Sequence, residues 1–175
     1  MQHVHAQGYP TPAVIGVHGP DLILERVDAP TMRADLEREP SRLRTHATTL
    51  AALHQRLHRI AAPHWLTRIG PGDTVLHLDL HPENVLMALD GPRVIDWAGA
   101  RAGHWADDVA QTVVIVGGAL IPEPLASAIP IFVEAFLAPF DREEVRPHLD
   151  TAIARRVQDS NLSAKEHDAA RRVRV

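Results

Sequence analysis

The sequence predicts an α+β fold that is mostly helical, with one β-hairpin near its start and a small β insert in its middle. Of its 175 residues 45% are hydrophobic and 23% charged, a composition typical of globular proteins. Short β-rich runs separated by turn residues occur in two places only. Elsewhere apolar residues recur every three or four positions, which indicates amphipathic helices. The length suits one domain, or one lobe of a larger protein.

The first half begins with the end of a helix and a hairpin. Residues 4–9 are typical of a last helical turn that stops at Gly8. The β-rich runs 13–17 and 21–27 flank a His-Gly-Pro turn, which predicts the hairpin, and a connector follows at 28–31. Apolar residues then predict an amphipathic helix from Ser41 to Ala62. His54 and His58 lie one turn apart on it, and we expect them on its solvated face, without a third metal ligand.

The second half begins with strands and continues as helices. We predict strands at 74–78, 85–88 and 93–95, the last two joined by a Leu-Asp-Gly-Pro turn. Asp107 or Asp108 is expected to cap a helix that runs to about Gly117. Further helices are predicted at 122–137 and 142–158, with kinks or new starts at Pro130 and Pro147. A last helix, capped within 161–163, is expected to end in the basic tail RRVRV.

Composition excludes several classes of function. The formal net charge of -4 provides no overall positive field for nucleic acid or an anionic membrane. The chain has no cysteine, so disulfides and thiolate chemistry are excluded. Its longest apolar run, 113–121, is far shorter than the ~20 residues of a membrane-spanning helix. The start resembles no signal peptide, and we therefore expect a cytoplasmic protein.

Residues 77–86, HLDLHPENVL, carry the most distinctive chemistry, and two interpretations of them stay open. In the first, His77, Asp79 and His81 share one face of a strand and hold zinc in a metal-dependent hydrolase. Against it, Pro82 and the polar residues after it favour a loop, in which the alternation of faces is lost.

In the second interpretation the same stretch transfers phosphoryl groups. That chemistry needs a carboxylate beside the acceptor hydroxyl and oxygen ligands for Mg²⁺. His77, Asp79 and Asn84 match the spacing H-x-D-x-x-x-x-N. A second carboxylate, Asp96, follows the strand at 93–95 in the sequence VIDWAG, and oxygen ligands are those that Mg²⁺ prefers.

HLDLHPENVL followed by VIDWAGARAGHWADDVA resembles the aminoglycoside phosphotransferase and choline kinase-like family. That family carries an HGDLHPGN-type loop, an IDF or IDW aspartate and a downstream D-[LV]-A. The stretch DLILERVDAPTM resembles the last strand and hinge of its N-terminal lobe. The resemblance implies a protein kinase-like C-terminal lobe at 31–175, preceded at 1–30 by a remnant of the N-terminal lobe and the hinge.

By this resemblance each motif residue has a role. Asp79 would be the catalytic base that orients the acceptor hydroxyl. Asn84 and Asp96 would ligate Mg²⁺. His77 would brace the loop, and Asp108 would cap its helix and hold the backbone of the loop from beneath.

The resemblance also implies ATP as the phosphate donor, with its adenine meeting backbone groups of Glu25, Arg26 and Val27. The glycine-rich loop and strand lysine of a complete N-terminal lobe are missing: no G-x-G-x-x-G occurs, and the only lysine, Lys165, follows every motif. We therefore expect a truncated chain with weak nucleotide binding and little turnover. The alternative is a non-catalytic remnant or small-molecule binding module.

The family phosphorylates aminoglycosides, choline-like alcohols and other hydroxyl compounds, so the expected partner is a small molecule with a hydroxyl group. Acidic residues in the helical part are candidates for binding a polycation, although such residues are also common on solvated helices. They are Glu123, Glu134, Asp141, Glu143 and Glu144. The unpaired edge of the hairpin predicts possible self-association.

Overall fold

The structure is a computed structural model that describes residues 1–174, and it confirms the predicted α+β fold. Within these residues the α-helices are α1 (Gln2–Ala6), α2 (Met32–Arg38), α3 (Leu43–Leu57), α4 (Trp105–Gly117), α5 (Leu125–Leu137), α6 (Arg142–Val145), α7 (Leu149–Val157) and α8 (Ala164–Ala170). The strands are β1 (Val14–His18), β2 (Asp21–Leu24), β3 (Thr74–Leu76), β4 (Val85–Ala88), β5 (Gly91–Val94) and β6 (Arg101–Gly103).

The strands form three antiparallel pairs: β1 with β2, β3 with β6, and β4 with β5. The first and third pairs are the predicted hairpins, although β2 ends at Leu24 and is shorter than expected. The partner of β3 was not predicted, because the three residues of β6 carry no β-rich pattern. These short pairs hold the stretch from β3 to β4 at both of its ends.

Helix α3 is shorter than the predicted span of 41–62. A 3-10 turn, Pro40–Arg42, precedes it, and the helix ends at Leu57. Beyond that point the chain pairs with the β3 region: Val75 N donates to Ile60 O at 3.0 Å, and Ala62 N donates to Asp73 O at 2.6 Å. Pairing with a strand has therefore replaced the last predicted helical turn, while Ile60 stays largely buried.

Helix α2 was not predicted, and a side-chain cap explains where it begins. The Oγ1 of Thr31 accepts a hydrogen bond from the backbone of the first turn, which satisfies one of the free N–H groups there. Asp35 points inward from this helix. It accepts a hydrogen bond from His46 Nε2 of α3 at 2.7 Å and another from Arg42 at 3.0 Å. These bonds tie α2 to α3.

The predicted cap of α4 is wrong. The helix begins at Trp105, and its cap is His104, whose Nδ1 accepts a hydrogen bond from Ala106 N at 3.3 Å. Asp107 and Asp108 lie in the first turn instead, with exposed fractions of 7% and 0%. Both aspartates are therefore free to bond with side chains and loops that pack against the helix.

The C-terminal part follows the prediction with shifted ends. Helix α5 begins at Leu125, later than expected. The predicted helix 142–158 is divided into α6, a 3-10 turn and α7, and the turn contains Pro147. Ser163 caps α8 through a capping box with Glu166. The last residue of the predicted tail and lobe, 175, lies outside the described residues.

The core lies between the helices. Helix α3 packs against α5, and α4 packs against α7. The fully buried large side chains include Tyr9, Met32, Leu50, Leu57, Leu76, Leu80, Phe136 and Leu137. Within residues 1–174, no helix combines the length and the apolar character required to cross a membrane. The stretch between β3 and β4 lies at the edge of this core, supported from below by α4.

Candidate active site

The polar stretch after β3 forms a loop, which ends in a 3-10 turn, Pro82–Asn84, directly before β4. Leu78 has a φ of 63° in this loop, and Asp96 has a φ of 60° just after β5. A left-handed backbone is unfavourable for a leucine and persists only where surrounding contacts enforce it. The strain therefore marks the loop as a segment held in place by its neighbours.

Asp108 of α4 supplies much of that hold. Its Oδ1 accepts a hydrogen bond from Leu78 N at 2.6 Å, and its Oδ2 accepts one from His77 N at 3.2 Å. The same Oδ2 lies 3.0 Å from His58 Nε2. Burial alone would raise the pKa of Asp108, but the imidazoles of His54 and His58 hold it well below its usual value. The side chain is therefore an anionic acceptor beneath the loop.

His77 connects the loop to the strand that leads to Asp96. Its ring is fully buried, with Nε2 donating to Ile95 O at 3.0 Å and Nδ1 accepting from Asp79 N at 3.3 Å. Burial lowers the pKa of His77, although Asp108 opposes this effect. A neutral ring provides one donor and one acceptor, which is what these two bonds require. The ring also packs against Trp97 at a centroid distance of 4.7 Å.

Asp79 and Asn84 face each other across the loop. The Nδ2 of Asn84 donates to the backbone oxygen of Asp79 at 2.8 Å and to its carboxylate Oδ2 at 2.9 Å. His81 Nε2 lies 3.5 Å from the other carboxylate oxygen. Burial works to raise the pKa of Asp79, but the contacts with His81 and Asn84 outweigh it, so the pKa lies below its usual value. Asp79 is therefore a partly exposed carboxylate at neutral pH.

Asp96 reaches the same loop through its neighbours in sequence. Ile95 N donates to Asn84 O at 3.0 Å, and Trp97 packs on His77. The Asp96 side chain is exposed, and its carboxylate makes no hydrogen bond or ion pair with any residue from 1 to 174. The side chain of Asn84 uses its nitrogen, Nδ2, within the loop, and its side-chain oxygen, Oδ1, has no hydrogen-bond partner within residues 1–174. The donor set of one carboxylate and one amide oxygen fits Mg²⁺.

The predicted hinge lies beyond the end of β2. Glu25 N donates to Ala13 O at 2.8 Å, and Ala13 N donates back to the Glu25 carboxylate at 3.0 Å, so both groups serve the hairpin. Arg26 forms an exposed ion pair with Asp28 at 3.2 Å. Among the described residues, the carbonyl of Glu25 and the N–H of Val27 have no backbone partner. One acceptor and one donor are therefore available at this edge.

Comparisons with known proteins point to the same type of protein, a phosphotransferase, as the sequence motifs HLDLHPENVL and VIDWAG. A family model described as "Phosphotransferase enzyme family" matches residues 25–148, which is most of the chain and includes the hinge, the loop and α4. The chain belongs to the phosphotransferase enzyme family. Among solved structures, an ethanolamine kinase from Plasmodium vivax is similar in fold, with a TM-score of 0.60 at 13% sequence identity, covering 97% of this chain and 68% of the kinase. A search of curated proteins gives no significant match.

The alternative zinc site of a hydrolase does not form in this family member. Both ring nitrogens of His77 are engaged inside the protein, with Ile95 and with Asp79 N. His81 uses its Nδ1 to accept a hydrogen bond from Glu83 N at 3.4 Å. The proline and the polar residues have made the stretch a loop, so His77, Asp79 and His81 do not share one strand face.

The prediction for His54 and His58 is wrong. Their side-chain exposures are 0% and 8%, and both rings lie against Asp108. The sequence contained a signal for His54: it is four residues after Leu50 and three before Leu57, so it lies on the buried face of α3. The third residue, Asp108, comes from a different helix and could not be found from spacing alone.

The acidic residues considered for a polycation do not converge on one site. Glu134 pairs with Arg142 at 2.6 Å, Glu143 with Arg146 at 3.1 Å, and Glu144 lies 3.3 Å from His104. The other two, Glu123 and Asp141, accept hydrogen bonds from backbone N–H groups at the starts of α5 and α6.

A different pocket lies beside the loop. It has a volume of about 270 Å³, and its wall includes His81 and Glu83 of the loop, Arg33 of α2 and Phe132 of α5. The Arg33 guanidinium lies 3.2 Å from the Glu83 carboxylate at the rim. Most of the remaining wall is apolar and comes from the end of α4 and from α5. Arg156 of α7 and Glu166 of α8 also line it, so the pocket is partly apolar with charges of both signs in its wall.

Proposed function

We propose that this chain is an ATP- and Mg²⁺-dependent phosphotransferase that acts on a hydroxyl group of a small molecule. The observation that carries the proposal is the arrangement of Asp79, Asn84 and Asp96. An anionic carboxylate lies beside an amide whose oxygen is uncommitted, and a second free carboxylate follows the adjoining strand. Family membership supports the same type of reaction.

Asp79 acts as the base in this proposal. It accepts a hydrogen bond from the acceptor hydroxyl and takes its proton as the oxygen forms the new bond to phosphorus, while the bond from phosphorus to the leaving diphosphate breaks. A lowered pKa suits this role, because the carboxylate is ionised before the substrate binds. Asn84 Nδ2 holds the carboxylate in position through Oδ2. The other oxygen, Oδ1, faces His81 and is the one we assign to the hydroxyl.

Asn84 and Asp96 would hold Mg²⁺ through their free oxygen atoms. When bound, the ion would neutralise charge on the phosphates and orient them. His77 and Asp108 are positioning residues: they hold the backbone that presents these side chains and do not touch the substrate. We assign the adenine of ATP to the hinge, where Glu25 O would accept and Val27 N would donate. Arg26, exposed and paired with Asp28, contributes only its backbone.

We also propose a division of the chain into residues 1–30, from the N-terminal lobe and hinge, and 31–175, the catalytic and substrate lobe. The hairpin β1–β2 supports this division, because its outer side chains are exposed. The pocket of about 270 Å³ beside the loop is our assignment for the acceptor. Its wall favours a compact acceptor with both apolar and charged parts.

The chain contains no glycine-rich phosphate loop and no strand lysine, so we expect weak Mg-ATP binding by the 175 residues alone. The test is calorimetric titration of Mg-ATP at high protein concentration. Asp96→Ala is expected to abolish binding, whereas Asp90→Ala, which changes an exposed aspartate of the same hairpin, leaves it unchanged. Binding that does not depend on Asp96 would contradict the proposed site, and micromolar affinity would contradict the expected weakness.

Turnover is tested separately by ³¹P NMR during long incubation with Mg-ATP and a panel of amino alcohols and amino sugars. A phosphorylated product that Asp79→Asn abolishes supports the enzyme. The second candidate, a non-catalytic binding module of the same fold, is favoured by the missing glycine-rich loop and strand lysine. It predicts an acceptor that raises the thermal stability of the chain without any product, with or without Asp79.

A further inference from the structure

A buried cluster of His54, His58 and Asp108 lies behind the catalytic loop. The two histidines are one turn apart on α3, and the aspartate comes from α4. Their side-chain exposures are 0%, 8% and 0%. One nitrogen or oxygen from each residue lies within 4.8 Å of the others. None of the three belongs to the set of Asp79, Asn84 and Asp96.

The hydrogen bonds around His54 fix which of its nitrogens faces the cluster. Thr112 Oγ1 donates to Leu80 O at 2.7 Å, so its single hydrogen is used there. Thr112 Oγ1 must then accept from His54 Nε2, which lies 3.0 Å away. In the neutral ring the opposite nitrogen, Nδ1, therefore carries a lone pair. This Nδ1 is buried and has no hydrogen-bond partner among the described residues.

The unpartnered Nδ1 faces a carboxylate oxygen. Asp108 Oδ2 lies 3.4 Å from it, so a nitrogen lone pair and an anionic oxygen point toward each other in a buried space. Such an arrangement is costly without a positive group between the two atoms, and that group is either a proton on Nδ1 or a metal ion. A divalent cation bound by both atoms would satisfy each of them at once.

We propose that His54 Nδ1, His58 Nε2 and Asp108 Oδ2 form a binding site for a zinc-class divalent cation. Tetrahedral zinc with bonds of about 2.0–2.1 Å places neighbouring ligand atoms about 3.3 Å apart. The two separations from Asp108 Oδ2 are 3.4 Å to His54 and 3.0 Å to His58. Two histidines one turn apart on a helix are a recurring pair in zinc sites.

The surroundings of the cluster also fit this metal. Thr112 holds the far N–H of His54, as hydrogen-bond partners do for histidines that bind metals. Two imidazoles and one carboxylate suit zinc or cobalt better than magnesium, which prefers oxygen ligands. His58 lines a surface pocket together with Trp105 and Asp141, so solvent on that side would supply the fourth ligand.

The site would act on the catalytic loop through Asp108. While Oδ2 binds the cation, Oδ1 continues to accept from Leu78 N. The cation would thus fix the carboxylate that holds the strained residue next to Asp79. Its binding is expected to raise the thermal stability of the chain, by an amount that grows with the logarithm of the free zinc concentration once this exceeds the dissociation constant, as for any ligand of the folded state.

The test uses the 175-residue chain after treatment with a chelator. Zinc is titrated in competition with a chromophoric indicator, and cobalt binding is followed by visible absorption. We expect one tightly bound zinc per chain and the intense visible bands of a four-coordinate cobalt site. Weak binding with only the faint bands of six-coordinate cobalt would overturn the proposal, and this measurement needs no variant.

Variants locate the site. His58→Gln removes a ligand and is expected to weaken zinc binding at least ~100-fold, while Thr112→Val, which keeps the side-chain volume, weakens it about 10–100-fold. The matched control is His46→Gln, because His46 is also buried on α3 with an unpartnered Nδ1 but faces only Asp35. Zinc affinity unchanged in folded His58→Gln, or lost in His46→Gln, would overturn the assignment. Far-UV circular dichroism verifies that each variant is folded.

Discussion

Replacing Asp108 by alanine measures how strongly the buried carboxylate holds the loop of residues 77–84. The side chain is fully buried, and it accepts hydrogen bonds from Leu78 N at 2.6 Å, His77 N at 3.2 Å and His58 Nε2 at 3.0 Å. Alanine leaves two buried backbone N–H groups and one largely buried imidazole N–H without an acceptor. Leu78 also loses the contact that opposes its unfavourable φ of 63°.

The expected loss of stability follows from these three donors. A buried donor left without a partner costs about 1–3 kcal/mol. Because alanine also removes the cost of burying the charge itself, we expect a loss of about 4 kcal/mol rather than the full sum. Natural domains have a total stability of about 5–15 kcal/mol, so the variant would be only marginally stable.

The assay is urea unfolding followed by tryptophan fluorescence and circular dichroism, with EDTA present so that no metal contributes. With a denaturant dependence of about 2 kcal/mol per M, the midpoint should fall by about 2 M. Asp107→Ala is the matched control. Asp107 accepts from His148 Nδ1 at 2.9 Å, and the His148 side chain is 25% exposed, so water can replace the lost acceptor. Equal shifts in the two variants, or an Asp108→Ala shift below about 0.5 M, would refute the reasoning.

Three further predictions concern other parts of the chain. A hydrogen bond from His46 lowers the pKa of Asp35 in the folded state. The stability that Asp35→Asn removes should therefore be present above about pH 3.9, and it should disappear as the pH falls through the lower folded-state pKa. Unfolding curves of the parent chain and the variant, recorded across that pH range, measure this difference. Asp96→Gly should be about 1 kcal/mol more stable than Asp96→Ala by thermal unfolding, because glycine adopts the φ of 60° without strain, although both lose Mg-ATP binding. Ile15 and Val17, 69% and 61% exposed, should mediate any self-association through the hairpin; changing both to lysine should remove the concentration dependence of elution on size exclusion, and a parent chain that is monomeric at every concentration would contradict this expectation.

The sequence predicted which motif residues lie together better than it predicted the elements around them, and the reason is physical. Asp79 and Asn84 lie within one loop, so their spacing in sequence nearly determines their separation in space. Asp96 is only slightly further away, joined through a tight hairpin. The relative positions of residues this close along the chain can be predicted well from a single sequence. The family model that matches residues 25–148 confirms the resemblance built on these motifs.

The features that were missed depend on contacts between distant segments. Strand β6 exists because β3 pairs with it, and helix α3 ends early because the chain after Leu57 pairs with the β3 region. His104 caps α4, where an aspartate was expected. Asp108 instead accepts hydrogen bonds from the loop and lies against His58. In each case a contact with a residue far along the chain overrides the local preference for helix, strand or cap. The local sequence does not indicate which distant residue that is.

The residues that carry the proposed chemistry differ from the residues that hold the site together. Asp96 is exposed and its carboxylate has no partner within residues 1–174, whereas His77 and Asp108 are fully buried and make several hydrogen bonds each. Removing the Asp96 side chain should therefore weaken ligand binding with little change in the free energy of unfolding. Removing the Asp108 side chain should mainly lower the free energy of unfolding. The strained backbone at Leu78 lies between the two groups and is bonded directly to Asp108. The left-handed backbone of Leu78 lowers the stability of the fold, but the hydrogen bond to Asp108 keeps the loop in one conformation. Catalysis by positioning requires such a fixed loop.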